Sequence, residues 1–179
     1  MFSKEKSVML LIDVQGRLAQ IMHDKDILFQ RLEFMIRAMN ILNVPIIWME
    51  QIPKNLGPTT EHLAALMPDN SPIEKFTFSC CNEPEFMKRF EALGRSQVFL
   101  TGIETHICVF QTGYDLVQLG YQVQVVTDCV SSREEKNKAV GIQRLSSVGV
   151  SPTSFEMAIF ELMKEAKGDE FKQIVKMIK

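Results

Sequence analysis

Apolar and polar residues are arranged in two different patterns along this chain. Short, nearly continuous apolar runs are typical of strands that are buried on both faces of a sheet. These runs predict strands at residues 7–12, 45–49, 75–79, 97–101 and 122–127, with a last short strand at 148–151.

Between the apolar runs, hydrophobic residues recur with helical spacing. The clearest case is the segment from about Asp26 to Leu42, where they fall at positions 28, 32, 35, 36, 39 and 42. Further helices are predicted at 84–93, 105–119, 132–147, 153–167 and from 169 onwards. Because strands and helices alternate, the pattern predicts an α/β sandwich with a mostly parallel six-stranded sheet.

One long connecting segment, the excursion between residues 51 and 75, interrupts this alternation of strands and helices. It contains Pro53, Gly57, Pro58, Pro68 and Pro72, and a short helix is predicted within it at 60–66. Loops of this length in compact domains often have a function.

Composition narrows the possible classes of protein. A length of 179 residues predicts one domain, residues 1–179, and 46% apolar with 23% charged residues is ordinary for a globular protein. The net charge of -2 gives no electrostatic reason to expect nucleic acid or an anionic membrane as a partner. No apolar run approaches the ~18 residues that span a bilayer, and no hydrophobic signal segment precedes the first strand. We therefore expect a cytoplasmic protein whose cysteines, at 80, 81, 108 and 129, are thiols.

The candidate nucleophile is Cys108, which lies where a predicted strand passes into a helix. A position in the first turn of a helix lowers the pKa of a thiol and supplies backbone N–H groups for an oxyanion. The alternative is a buried, unreactive cysteine, and that interpretation is preferred for Cys80, Cys81 and Cys129.

Two charged residues in apolar surroundings complete a possible catalytic group. Asp13 ends the first strand and is either a general base or a carboxylate that caps a loop. Lys75, flanked by Phe76 and Phe78, either keeps Asp13 ionised and favours the thiolate or is a surface lysine on an edge strand. Because ligands bind beyond the carboxyl ends of parallel strands, Asp13 and Cys108 are predicted at one edge.

Other kinds of site are not indicated. The histidines at 23, 62 and 106 share no metal-ligand spacing, and His106 does not face Cys108 on a helix because residues i and i+2 point apart. The glycine patterns of nucleotide-binding loops are absent. We expect neither a metal nor a cofactor.

With these residues assembled, the chain resembles the isochorismatase-like (cysteine hydrolase) superfamily. The resemblance rests on residues 11–15, 75–79 and 101–109, in the order and at the separations of the family. Residues 50–59 and 127–133 resemble the isochorismatase domain-containing subgroup.

The resemblance implies a three-layer, Rossmann-like α/β/α fold and a catalytic triad of Asp13, Lys75 and Cys108. It also implies a cis peptide bond between Ile103 and Glu104, with the N–H groups of Glu104 and Cys108 forming the oxyanion hole. A homo-oligomer, a dimer or larger, is expected from the family. The wall of the substrate pocket is predicted to include residues Trp48, Gln51, Leu56, Phe78 and Glu104.

Two departures from the family pattern refine the prediction. Where nicotinamidases carry an Asp-x-His metal motif, this chain has Glu50-Gln51-Ile52-Pro53, so we expect no metal. Isochorismatases need no cysteine nucleophile, so Cys108 favours hydrolysis of a C–N bond in a small amide, imide or carbamoyl compound through a thioester. The alternatives are a binding or scaffold protein with little catalysis and, less favoured on charge, a ribonuclease.

Overall fold

The computed structural model describes residues 1–178, and a six-stranded parallel sheet forms its centre. The strands are β1 (Ser7–Ile12), β2 (Ile46–Gln51), β3 (Ile73–Lys75), β4 (Gln97–Ile103), β5 (Gln122–Ser131) and β6 (Ser151–Thr153). Their order in the sheet is β3-β2-β1-β4-β5-β6, and every neighbouring pair is parallel.

Helices cover both faces of the sheet. They are α1 (Gly16–Gln20), α2 (Lys25–Ile41), α3 (Pro53–Leu56), α4 (Glu61–Ala64), α5 (Pro84–Ala92), α6 (Phe110–Gln118), α7 (Glu135–Ser147), α8 (Phe155–Met163) and α9 (Gly168–Ile178). A 3₁₀ turn, Cys80–Asn82, precedes α5, and a π-helical turn, Thr105–Val109, precedes α6.

Two hydrophobic clusters separate the layers. One contains buried residues of α2, α8 and α9 packed on one face of the sheet. The other contains buried residues of α5, α6 and α7 on the opposite face. The fold is therefore the predicted three-layer α/β/α sandwich, with a sheet that is parallel throughout.

The strand order places a crevice at the centre of the sheet. The chain winds from β1 through β2 to β3 in one direction, and then from β4 through β5 to β6 in the other. In open α/β sheets, the point where the winding reverses leaves a crevice beyond the carboxyl ends of the two strands, here β1 and β4. Asp13 follows β1 and the turn that bears Cys108 follows β4, so both lie at this crevice.

Two local predictions were wrong. The strand predicted at 75–79 is instead β3, which ends at Lys75, because the next residues bend to direct their carbonyl groups at the Lys75 ammonium. The helix predicted from residue 132 begins only at Glu135, as α7, and the Ser132 hydroxyl pairs with His106 instead. At the start of α8, the Ser154 side chain caps the helix by accepting a hydrogen bond from the Met157 N–H.

Candidate active site

Asp13 is a buried carboxylate with one oxygen engaged and one without a partner. It is 2% exposed, and its φ of 53° belongs to a tight turn directly after β1. Its Oδ2 accepts a hydrogen bond from Lys75 Nζ at 2.8 Å. Its Oδ1 is buried and accepts no hydrogen bond from the described residues. Asp13 therefore retains a vacant acceptor inside the site.

Lys75 is held by four oxygen atoms and is not the surface lysine of the alternative interpretation. The side chain is 0% exposed. Besides Asp13, Nζ donates to the side-chain oxygen of Gln51 and to the carbonyl oxygens of Thr77 and Phe78, the latter two at 3.1 and 3.4 Å. An ammonium group has three donors, so these acceptors use them all.

Gln51 and Gln15 form a supporting layer beneath this ion pair. The Gln51 side chain accepts from Lys75 and donates from Nε2 to the Phe76 carbonyl at 3.0 Å. Gln15 accepts from the Gln51 backbone N–H at 2.6 Å and donates to the carbonyls of Gln51 and Gly57 at 3.2 and 2.7 Å. The first part of the excursion after β2 is therefore tied directly to the segment that follows Asp13.

Burial, not the helix terminus, controls the thiol of Cys108. The residue is 8% exposed and lies within the π-helical turn. Burial, followed by the negative charge of Asp13, raises the pKa of Cys108 to about 12, and Lys75 opposes this only in part. The expectation of a lowered thiol pKa was wrong because desolvation of the thiolate outweighs the nearby positive charge.

The pKa of Asp13 is also raised, chiefly by burial, while the charge and hydrogen bond of Lys75 oppose the shift. Lys75 therefore acts in the direction expected from the sequence but does not outweigh desolvation. Burial is the largest influence on the pKa of Lys75 and lowers it, but the charges of Asp13, Cys80 and Cys108 and the hydrogen bond to Asp13 together outweigh burial, so the net shift is upward. The site thus combines a protonated thiol, a carboxyl group that is a stronger base than usual, and an ammonium group whose charged form is favoured by Asp13.

The backbone beside Cys108 is unusual. The peptide bond between Ile103 and Glu104 is cis. The Glu104 carbonyl accepts from the N–H groups of Ile107 and Val109 at 3.0 and 3.3 Å, whereas the Glu104 N–H donates to no acceptor among residues 1–178. Gly102 has a φ of 103°, and a Cβ there would lie 2.1 Å from the Ile12 carbonyl oxygen, so only glycine fits this close approach of β4 to β1.

A second support lies behind the π-helical turn. Gly141 of α7 packs directly on it, and a Cβ at this position would lie 2.9 Å from both His106 N and the Thr105 carbonyl carbon. His106 Nδ1 is 3.0 Å from Ser132 Oγ, which fixes the ring to the end of β5. His106 is therefore part of the support of the turn.

The five residues predicted for the pocket wall lie in different places. Gln51 and Glu104 are buried beside the triad, Leu56 is half-buried at the end of α3, and Phe78 is 56% exposed on the bend that follows β3. Trp48 lies apart from these four residues. Its side chain packs in the cluster on the opposite face of the sheet from Cys108, and its Nε1 donates to Thr59 Oγ1 at 2.6 Å.

No local pattern in the sequence indicates the contacts that Gln15, Arg133 and Gly141 make. Glu104 Oε1 accepts from both the backbone N–H and Nε of Arg133, each at 3.1 Å. Such contacts depend on which loops meet in the fold. Gln15 and Arg133 do fall within the segments 11–15 and 127–133 that carry the family resemblance, but the resemblance does not indicate these contacts.

A large cleft lies elsewhere on the molecule. It has a volume of about 1130 Å³ and lies near the amino ends of β2 and β4, with Arg37, Val44, Leu66, Arg95 and Met177 among its lining residues. It is therefore at the opposite edge of the sheet from Cys108.

Two other kinds of feature are absent from residues 1–178. No group of three or more His, Cys, Asp or Glu side chains is arranged to hold a metal ion. None of the described helices is long and apolar enough to cross a membrane.

Comparison with known proteins shows the family. Residues 7–157 match the model of the isochorismatase domain. The chain belongs to the isochorismatase family. It is 34% identical over 177 residues to isochorismatase domain-containing protein 2 of Danio rerio, covering 98% of this chain and 88% of that protein. This relative carries the name of the predicted subgroup, so the resemblance found in the sequence is confirmed.

Solved structures show the same fold. MAR1 ribonuclease from Caenorhabditis elegans superimposes with a TM-score of 0.92 at 32% identity, covering 99% of this chain and 91% of that one. The YcaC gene product from Escherichia coli, described as an octameric hydrolase of unknown specificity, superimposes with a TM-score of 0.93 at 21% identity, covering 98% and 89%.

Proposed function

We propose that this isochorismatase-family protein is a hydrolase that cleaves a C–N bond in a small amide, imide or carbamoyl compound. The observation that carries the proposal is that Asp13 lies close enough to the Cys108 thiol to interact with it, while its Oδ2 is bound to Lys75 and its Oδ1 accepts no hydrogen bond from the other described residues. A carboxylate held by one oxygen and free at the other is suited to accept the proton of a neighbouring thiol.

The first half-reaction forms a thioester. The Cys108 thiol gives its proton to Asp13 as its sulfur attacks the carbonyl carbon, and a C–S bond forms. The tetrahedral intermediate then collapses, the C–N bond breaks, and Asp13 gives the proton to the departing ammonia or amine. Because the resting thiol has a pKa of about 12, proton transfer accompanies attack, and no thiolate accumulates beforehand.

The second half-reaction restores the enzyme. Asp13 accepts a proton from water as the water oxygen attacks the thioester carbonyl. The C–S bond breaks, the sulfur takes the proton back from Asp13, and a carboxylic acid leaves. The same carboxylate therefore serves as the base and then as the acid in each half.

In the tetrahedral intermediate, negative charge develops on the former carbonyl oxygen of the substrate. Hydrogen-bond donors that are already in place stabilise this charge. We assign this role to the backbone N–H groups of Glu104 and Cys108. In support, the Glu104 N–H makes no hydrogen bond within residues 1–178. Lys75 contributes its charge without touching the substrate, since its donors are all engaged.

The proposed reaction uses no metal or organic cofactor. In support, the side chains at the carboxyl end of β2 are already bound within the protein. Glu50 accepts the Thr59 N–H at 2.7 Å, and Gln51 is bound to Lys75 and Phe76. Both side chains therefore already have partners within the protein.

A screen for ammonia release over small amides, imides and ureides tests the proposal, with Cys108→Ala as the matched control. We expect at least one compound to be hydrolysed by the wild type and its turnover to fall at least about a thousandfold in the variant. Full turnover by Cys108→Ala would exclude the mechanism.

A ribonuclease is the second candidate, because one solved structure that is 32% identical to this chain is that of a protein called a ribonuclease. The net charge of -2 argues against a broad phosphate-binding surface. Cleavage of a labelled single-stranded RNA by the wild type, and its loss in Cys108→Ala, would favour this candidate over amide hydrolysis.

A protein that binds ligands or partners without useful catalysis is the remaining alternative. Thiol chemistry separates it from the enzyme, because an accessible nucleophile must be alkylated by small electrophiles. If alkylation of Cys108 and hydrolysis were both absent, the binding role would be favoured.

We also propose that the protein forms a homo-oligomer, a dimer or larger. The structural neighbour from E. coli is described as an octamer, which supports this proposal. Sedimentation analysis would test it, and a monomer at micromolar concentration would contradict it.

A further inference from the structure

Arg133 lies at the same edge of the sheet as the triad. It follows the carboxyl end of β5 by two residues, and Glu104 follows the end of β4 by one. The two strands are in register at their ends, where Ile103 pairs with Ser131. Glu104, four residues before Cys108, is therefore brought against Arg133 at the crevice.

The Arg133 side chain is anchored at one point and free at its tip. Glu104 Oε1, from a side chain that is 6% exposed, accepts the backbone N–H and Nε of Arg133. The Arg133 side chain is 55% exposed, and its two terminal nitrogens, Nη1 and Nη2, donate to no acceptor within the described residues. A buried acceptor thus orients a guanidinium group whose outer edge remains available.

The donors on Nη1 and Nη2 match one chemical class of ligand. The planar guanidinium binds a carboxylate through two parallel hydrogen bonds, and this geometry gives selectivity as well as affinity. Glu104 neutralises part of the charge, but it does so through Nε and leaves the outer edge vacant. Lys75, the other cation at this site, has no donor left for a ligand.

We propose that Arg133 binds a carboxylate group of the substrate, so that the preferred substrates are small amides or carbamoyl compounds that carry a carboxylate near the scissile bond. This inference rests on the proposed function for the identity of the reaction. Arg133 is assigned the selection of anionic substrates, and Cys108 and Asp13 retain the bond-breaking steps.

Two alkylating agents test the inference without a known substrate. Iodoacetate and iodoacetamide both transfer their CH₂ carbon to sulfur and release iodide, and they differ in having a carboxylate or an amide. The rates of modification of the Cys108 peptide would be followed by mass spectrometry and divided by the rates for free cysteine. We expect the normalised iodoacetate-to-iodoacetamide ratio to fall about tenfold in Arg133→Gln, the scale of one charge-assisted hydrogen bond.

Two further variants control for charge and folding. Arg89→Gln removes an exposed arginine that pairs with Glu85 on α5, and we expect it to leave the ratio unchanged. Arg133→Lys keeps the charge without the planar fork, so its ratio should lie between those of the wild type and Arg133→Gln. In both Arg133 variants the backbone N–H that binds Glu104 remains, and unchanged thermal unfolding would show that the fold is retained.

An unchanged ratio in folded Arg133→Gln would overturn the inference. Ammonia release from succinamate and from its neutral counterpart succinamide separates this failure from failure of the proposed function. If Cys108→Ala abolished release while Arg133→Gln kept the wild-type preference, amide hydrolysis would stand and carboxylate selection would be wrong. If alkylation selectivity depended on Arg133 but no amide were hydrolysed, carboxylate binding would stand and the proposed reaction would fail.

Discussion

The two edges of the sheet differ in a way that identifies the site. The amino edge has a cleft of about 1130 Å³, lined mainly by apolar residues and by exposed charged residues such as Arg37. The carboxyl edge holds Asp13, Gln51 and Lys75 in one buried hydrogen-bonded group next to Cys108. Burying polar groups is costly unless they are paired, so a buried group with one vacant oxygen is the stronger mark of function.

Among the variants that test this contrast, Asp13→Asn is expected to have the largest effect on activity. The amide keeps the shape of the side chain but cannot accept the thiol proton, so turnover of any hydrolysed amide should fall by about 10²–10⁴-fold. Steady-state kinetics on a substrate from the ammonia screen would measure this. A loss of less than tenfold would mean that Asp13 is not the base.

Lys75→Met should produce the largest change in stability. It leaves the Asp13 carboxylate buried without its partner, and breaking a buried pair in this way costs about 3–5 kcal/mol of unfolding free energy. Denaturant titration measures the loss. The double variant with Asp13→Asn should recover much of it, because no buried charge then remains; a double variant as unstable as Lys75→Met would contradict the ion-pair account.

Gly141→Ala tests the support behind the nucleophile. The added methyl group would meet backbone atoms of Thr105 and His106 at 2.9 Å, so the π-helical turn must shift. We expect activity to fall about tenfold or more, since small displacements of a reacting group are costly. Gly113→Ala in α6 is the matched control, because the nearest atoms to its Cβ would be side-chain ends, those of Leu145 at 2.6 Å, Leu100 at 2.8 Å and Val150 at 3.5 Å, and not backbone. Equal activity losses in the two variants would show that the turn is not specifically affected.

The smallest effect is expected at the amino edge. Arg37→Ala removes one exposed ion pair with Glu33 on α2, which is worth about 0.3–0.5 kcal/mol. Activity should be unchanged within error. A substantial loss of turnover would connect the large cleft to catalysis and would weaken the contrast between the two edges.

The contrast also explains which parts could be predicted from the sequence. Asp13 and Cys108 follow apolar runs, and parallel strands bring such positions to one edge regardless of loop details. The position of Lys75 within its strand was misjudged because the alternation of Lys75, Phe76, Thr77 and Phe78 imitates a strand. In the fold these residues bend so that two carbonyls reach Nζ.

The electrostatics could not be predicted in the same way. The pKa of Cys108 depends on how completely the surrounding layers exclude water, and the position of the residue at a helix start indicates the opposite shift. The contacts of Gln15 and Arg133 join loops that are distant in sequence, so no local pattern records them.

The pH dependence of Cys108 alkylation in the wild type and in Asp13→Asn tests the central claim most directly. In the wild type, the alkylation rate should keep rising well above the ordinary thiol pKa of ~8.5. Asp13→Asn removes a negative charge and leaves Lys75 uncompensated, so its thiol pKa should be lower. The account predicts a variant that is alkylated faster near pH 8 yet hydrolyses substrate far more slowly. If the thiol pKa were the same in both proteins, Asp13 and Cys108 would not be electrostatically coupled, and the proposed proton transfer would be contradicted.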